Sequence, residues 1–306
     1  MDISFLGTSA AIPTKSRNHP GIIIQLFGKT ILLDCGEATQ CQLTQAHISP
    51  MKIDEIYITH LHGDHILGLP GLIQSMAFRG RTKPLDIYGP YDKNQVLEQI
   101  TKIGYFTLTY KINIHTISEN GIINENENYN VIAFKTKHTV TNYSYKIEEK
   151  RQPKFIKQKA LDLGIQPGME YGKLQKGESI TLNGKIITPE QVLGPPRKGQ
   201  NIVYSGDTRP TDIMVKFSKD VDILIHEATF SDIHKSKAKE NGHCTATEAA
   251  TMAKEANVKQ LVLTHLSNRY LNAKPLTDEA INIFKNTVYA YDLMKIILER
   301  NEIRIE

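Results

Sequence analysis

The sequence predicts an α/β protein in which two β-sheets stack in layers with helices on the outside. Three observations carry that expectation. Short apolar strands fall into two series with helical patterns between them, metal-competent side chains stand at the C-terminal ends of several strands, and a lysine-rich segment interrupts the strand pattern.

The first series comprises residues 2–7, 21–27, 30–34, 55–59, 85–88, 131–137 and 143–147, and the second 202–205, 223–226 and 260–264. Phe27-Gly28-Lys29 between two apolar runs reads as the turn of a tight hairpin. Helical patterns cover 71–78, 93–103, 245–256 and 278–284, and Thr245 is suited to cap the third.

Within this frame, His60-Leu61-His62-Gly63-Asp64-His65 sets three imidazoles and a carboxylate into six residues behind the apolar run 53–59. Imidazole and carboxylate suit zinc and its first-row neighbours. His60 and His62, two apart on extended chain, point the same way, whereas Asp64 and His65 follow where the chain turns. The spacing suggests two metals. The same placement recurs: His138 ends the strand 131–137, Asp207 follows 202–205, and His265 ends 260–264. One rim of the sandwich then collects them all.

The charge is uneven. The whole chain of 306 residues carries +4, and the segment 146–185 alone holds nine Lys/Arg against five Asp/Glu, so the remainder is formally neutral. A basic segment on a neutral body suits an anionic polymer, since phosphate contacts supply most sequence-independent affinity. Its Gly164-Ile165-Gln166-Pro167-Gly168 and Gly172–Gly177 stretches read as turns, with a helical piece over 153–163, and the segment is expected to protrude as an arm. No apolar run reaches the length of a membrane span and no signal-type start is present, so a cytoplasmic protein without a membrane partner is expected. Three cysteines form no even framework, and Cys35 reads as a small buried thiol.

The His-x-His-x-Asp-His run with a distant His, Asp and final His resembles the metallo-β-lactamase fold superfamily. The resemblance implies a four-layer αβ/βα sandwich of two mixed sheets with a two-zinc rim. Further stretches resemble the tRNase Z family in its short form: Pro13–Asn18, Leu33–Gln40, Thr59–His65 running on to Leu72, Gly206-Asp207-Thr208, His226–Phe230, Gly242–Ala246 and Thr264–Tyr270. That implies one such domain over 1–306, with 146–185 inserted as an exosite that grips tRNA, and an endoribonuclease that removes the 3′ trailer of precursor tRNA. It also implies a homodimer whose arm serves the other subunit.

Carried onto matching positions, the family pattern implies two Zn2+ per subunit, one on His60, His62 and His138, the other on Asp64, His65 and His265, with Asp207 bridging. Asp64 is then the proton acceptor, His243 the general acid and Glu227 its orienting partner, while His226 is structural. Lys15, Arg17 and Arg269 are implied substrate contacts. Cys244 stands where Ser is more frequent, and Ala38 where Gly is usual. Two other readings fit parts of the pattern: a small-molecule hydrolase of the glyoxalase or lactonase kind, and a non-catalytic RNA binder. Neither accounts for the basic segment and the complete donor set together.

Overall fold

The computed structural model describes residues 1–299 and 302–306. Strands β1 (Asp2–Gly7), β2 (Gly21–Leu26), β3 (Lys29–Leu33), β4 (Ile53–Tyr57), β5 (Leu85–Pro90) and β6 (Ile112–Ile117) belong to one sheet. Next come β7 (Gly121–Glu125), β8 (Tyr129–Thr136) and β9 (Asn142–Glu149), then an isolated hairpin of β10 (Ile180–Leu182) and β11 (Lys185–Ile187). The second sheet is completed by β12 (Asn201–Tyr204), β13 (Ile223–Glu227), β14 (Gln260–Thr264) and β15 (Thr287–Tyr289), after which β16 (Lys295–Glu299) and β17 (Glu302–Ile305) return to the first.

The first sheet has the order β17-β16-β1-β2-β3-β4-β5-β6, and the second β15-β14-β13-β12-β9-β8-β7. Both are mixed: β3 to β6 run parallel beside an antiparallel β1–β3, and β12 to β15 run parallel beside β9. The hairpin forms as expected, with Leu26 opposite Lys29 and both Phe27 and Gly28 at positive φ.

Alternation divides each strand between two cores. Ile23, Leu32, Ile56 and Ile87 pack with Leu43, Leu72, Ile73 and Met76 from helices Thr39–Gln45 and Leu69–Phe78. Val203, Leu224 and Leu261 pack with Met214, Ala249 and Ala253 from helices Asp212–Phe217 and Ala246–Glu255. The opposite faces, including Ile22, Ile24, Ile31 and Tyr57, are also fully buried and meet the other sheet, where the Tyr57 and Tyr145 rings lie 5.4 Å apart. Double burial explains why Gly21-Ile22-Ile23-Ile24 reads as a continuous apolar run, each isoleucine contributing about 1.5–3 kcal/mol. The layered α/β sandwich is therefore present, with its helices outside.

The strands absent from the sequence reading are mostly marginal ones. β6 and β17 are edge strands whose side chains are largely half-buried or exposed, so they need little apolar pattern. The helix expected over 93–103 is confined to Val96–Ile100, and its start is set by Gln95, which takes a left-handed φ of 53°. The helix expected over 278–284 spans Lys274–Ile281 and has Pro275 in its first turn, where a missing N–H costs nothing.

The chain divides into two compact units: residues 1–125, 130–148 and 200–306, and residues 126–129 with 149–199. The second unit contains helices Lys157–Asp162, Met169–Gln175 and Pro189–Val192 with the β10–β11 hairpin, around a small core of Ala160, Ile165, Leu174, Ile180, Ile187 and Val192. Its limits differ from the 146–185 read from charge. Lys146 lies in β9 of the first unit, and the far end is set by Ile187 and Val192, apolar residues that a charge count does not see. The unit holds ten Lys/Arg against six Asp/Glu.

Ala38 precedes helix Thr39–Gln45 at φ 67°, ψ 3°. An L-residue there is strained by about 1–2 kcal/mol, partly offset by the ~0.5–1 kcal/mol that glycine loses in chain entropy. Ala38→Gly is expected to stabilise the protein by about 0.5–1 kcal/mol, read as a raised denaturation midpoint at unchanged m-value. A lowered midpoint would show that this backbone is not strained.

Candidate metal centre

The C-terminal ends of β4, β8, β12 and β14 open onto one rim, and the metal-competent side chains meet there. His60 and His62 follow β4, Asp64 and His65 sit in the single turn Gly63–Ile66, His138 follows β8, Asp207 follows β12 and His265 follows β14. One group comprises His60, His62, His138 and Asp207, another Asp64, His65 and His265, and a third Asp207, His243 and His265, each with its donor atoms within 4.8 Å of one another. His60 Nε2 and His138 Nε2 lie 3.0 and 3.2 Å from His62 Nδ1. Asp207 stands between the groups, its carboxylate 3.6 Å from His60 Nε2, 3.5 Å from His65 Nε2 and 3.4 Å from His265 Nε2.

The donor set fits metal. Four of the imidazoles have Nδ1 engaged, which turns the Nε2 lone pair into the cluster. His65 Nδ1 donates to Asp34 Oδ2 at 2.8 Å and His138 Nδ1 to the Gly242 carbonyl at 2.9 Å. His60 Nδ1 donates to Thr59 Oγ1, whose hydroxyl is spent on Asp34, and His265 Nδ1 to Thr229 Oγ1, whose hydroxyl is spent on Glu227. Among the described residues, the buried His65 Nε2, His265 Nε2 and Asp207 Oδ1 have no hydrogen-bond partner. Three aimed, buried and unsatisfied donors are costly unless a cation satisfies them.

Electrostatics point the same way. Burial and the neighbouring imidazoles push the His60 pKa well below its ordinary value, and burial followed by His138 lowers that of His62, leaving both neutral as ligation requires. Burial would lower His65 too, but the carboxylates of Asp34, Asp207 and Asp64 raise it well above normal. A field that holds a proton there also holds a dication. Burial raises Asp64 and Asp207, and the surrounding histidines more than reverse this, so both remain carboxylates.

Beside the cluster, His243 Nδ1 lies 3.0 Å from Glu227 Oε1, and Asp207 Oδ2 is 3.9 Å from the same nitrogen. Glu227 is wholly buried and accepts further bonds from Thr208 N, Thr229 N and Thr229 Oγ1. Burial opposes charge on His243, but the Glu227 carboxylate outweighs it and raises the pKa to about 9. His226 turns away: its Nδ1 bonds the Glu227 carbonyl and burial lowers its pKa.

Lys15 and Arg269 are exposed on the loops after β1 and β14, and the Arg269 guanidinium lies 5.2 Å over the Phe230 ring. Arg17 departs from its expected role as a substrate contact. It is buried and donates to the carbonyls of Tyr270 at 2.8 Å and Leu271 at 3.3 Å, which ties two loops together and leaves no open fork for a phosphate.

Several supporting residues escape the sequence reading. Asp34 ends an apolar strand like the ligands do, and that placement was a usable signal; its carboxylate binds His65, Thr59 and Tyr204. Arg209 forks onto Glu248 at 2.7 and 2.8 Å and bonds the His243 carbonyl, fixing the start of the helix behind His243. Gly242, at φ 75°, has no room for a Cβ, which would lie 2.9 Å from His138 Nδ1. Ala11, at φ 46°, donates its N–H to Asp64 Oδ2 at 2.9 Å.

Fold and donor set together define a metal-binding hydrolase of the metallo-β-lactamase type. A profile of the beta-lactamase superfamily domain matches residues 184–266, and one described as anti-Pycsar protein Apyc1 matches residues 1–153. The chain is 49% identical over 296 residues to ribonuclease Z of Methanothermobacter thermautotrophicus, covering 97% of this chain and 96% of that one. It is 45% identical over 307 residues to ribonuclease Z of Methanocaldococcus jannaschii, covering 98% and 95%. Among solved structures, the short form of human tRNase Z superposes with a TM-score of 0.73 at 27% identity, over 98% of this chain and all of the other. The chain belongs to the ribonuclease Z family.

Asp34→Asn keeps the shape but removes the charge that fixes His65. Metal affinity at the His65 group is expected to fall about 10–100-fold, measured by chelator competition, with the protein still folded. Unchanged metal retention would remove Asp34 from the support of the site.

Proposed function

We propose that this chain is an endoribonuclease that removes the 3′ trailer from precursor tRNA, leaving a 3′-hydroxyl on the tRNA and a 5′-phosphate on the trailer. The observation that carries the reading is the convergence, in a ribonuclease Z chain, of metal-competent donor groups around Asp207 with the Glu227–His243 pair beside them. Two Zn2+ per subunit are the proposed cofactors, one on His60, His62 and His138, the other on Asp64, His65 and His265, with Asp207 shared. When bound, such a pair polarises the phosphoryl oxygens and lowers the pKa of a water between them.

The chain's own residues supply the proton traffic. Asp64 Oδ2, steadied by the Ala11 N–H, is placed to accept the proton of the attacking water. The new bond joins the water oxygen to phosphorus, and the bond to the tRNA 3′-oxygen breaks. His243, held by Glu227, donates the proton that this oxygen needs. Arg269 and Lys15 neutralise phosphates nearby.

Sequence-independent grip on the tRNA body is assigned to the basic second unit, whose ten Lys/Arg suit phosphate contacts. The working form is proposed to be a homodimer in which this unit serves the partner's substrate, and the proposed location is the cytoplasm. No helix among the described residues is long and apolar enough to cross a membrane.

Mapping the 3′ end made from a precursor tRNA, with and without chelator, tests the reading. Metal-dependent cleavage at the trailer junction is expected, and metal-independent binding without cleavage would favour a binding protein. Asp64→Ala should abolish cleavage. His243→Ala should retain metal and slow cleavage by ~10²–10⁴. The Glu227 carboxylate raises the His243 pKa and keeps it an acid to higher pH than a free imidazole, so activity falls as pH rises through the His243 pKa of the metal-loaded enzyme. Bound dications lower the limit, and His243→Ala should lose this alkaline limb; normal turnover in that variant would refute the acid assignment.

Replacing Lys157, Lys159, Lys173 and Lys176 by Gln should weaken precursor tRNA binding and reduce the slope of log affinity against log salt by about one for each phosphate no longer neutralised. Hydrolysis of a small chromogenic phosphodiester should stay unchanged. Equal loss of both activities would sink the assignment of a tRNA grip.

A further inference from the structure

Three exposed aliphatic side chains stand on three separate segments: Ile12 at 56% exposure, Ile233, within the 3-10 turn Asp232–His234, at 83%, and Leu271 at 95%. Isolated exposed apolar residues are ordinary, and exposure alone assigns them nothing. The hydrogen bonds beneath them set these three apart. Arg17, from the loop that carries Ile12, donates to the carbonyls of Tyr270 and Leu271 itself. The Tyr270 hydroxyl accepts from Ser231 N at 3.0 Å and bonds His234 Nδ1 at 2.7 Å, on either side of Ile233. Ser9 Oγ donates to the Ile12 carbonyl at 2.8 Å. Three loops are thus stapled into one surface through Arg17 and Tyr270.

Two of these segments adjoin the reacting groups. Ala11, adjacent to Ile12, donates to Asp64, and Leu271 is six residues beyond His265, on a loop whose Arg269 is exposed. Lys15 lies three residues after Ile12. Apolar side chains bordered by cations match a ligand whose faces are apolar and whose backbone is anionic. A paired RNA helix hides its base faces, whereas an unpaired strand offers them at every nucleotide.

We infer that Ile12, Ile233 and Leu271 form a preorganised aliphatic platform that packs against the faces of unpaired nucleobases flanking the cleaved phosphate. Lys15 and Arg269 at its margin meet the adjoining phosphates. The inference rests on the endoribonuclease reading and adds to it a surface that selects single-stranded RNA at the junction. Because its loops are already fixed by hydrogen bonds, little ordering is needed when substrate arrives.

The test uses the full chain with metal bound, and the variants Ile233→Ser, Leu271→Ser and the two combined. Substrates are a precursor tRNA, the same RNA with abasic nucleotides on both sides of the cleavage site, and a small chromogenic phosphodiester. The double variant is expected to raise KM for the intact RNA about tenfold at unchanged kcat, as for a contact made equally before and during reaction. Abasic RNA should raise KM for the unaltered enzyme by a similar factor and cost the double variant nothing further, while the small diester is hydrolysed as before. An unchanged KM for intact RNA overturns the platform, as does an abasic penalty that is the same in variant and parent. Equal loss on the small diester assigns the residues to holding the loops and also overturns it. A parent enzyme that hydrolyses the diester but leaves precursor tRNA whole would refute the functional reading itself, a result separable from the others.

Discussion

The Asp34 carboxylate is the constraint on which the site depends. It follows β3 at φ 55° and accepts from Thr59 N and Oγ1 beyond β4, from His65 Nδ1, and from Tyr204 OH at the end of β12 in the opposite sheet. One buried charge therefore joins both sheets to two ligand-bearing segments. Such a group is costly to bury unless every lone pair is used, and here four donor groups use them. The geometry of His60 follows through Thr59 and that of His65 directly, so ligand direction is a consequence of how the sheets are held.

The second half of the centre repeats this logic with Glu227. Its carboxylate accepts from Thr208, Thr229 and His243, and Thr229 in turn orients His265. Two buried carboxylates, one near each side of Asp207, thus prepare the site before any cation or substrate arrives. Left-handed backbone at Asp34 and His265 shows the same investment, since both conformations are strained for residues other than glycine and persist where surrounding bonds over-determine them. The aliphatic platform extends the pattern outward, because its loops are fixed by buried Arg17 and not by the ligand they would meet.

Much of this was legible in the residues. Apolar runs at 21–24 and 31–33 announced strands, and Thr245 with Glu248 closes the capping box of the helix it was expected to cap. Edge strands such as β6 and β17 were not legible, because a strand with one solvent-facing side needs no apolar code. Arg17 was misread for a related reason: a basic residue in a loop looks the same whether it faces solvent or is folded onto carbonyls of a segment more than 250 residues away.

By itself the sequence determined which chemistry is present: seven metal-competent side chains at or just past strand ends, and a basic segment on a neutral body. Residue type and local period carry that information, since side-chain donors and strand direction are local properties. Only the tertiary structure decided which atom of each imidazole is turned inward, that Asp207 lies between the two groups, and that the second unit closes on Ile187 and Val192. Those facts depend on contacts between residues far apart in the chain, made when two sheets bury their faces, and no local pattern encodes the partner across that interface.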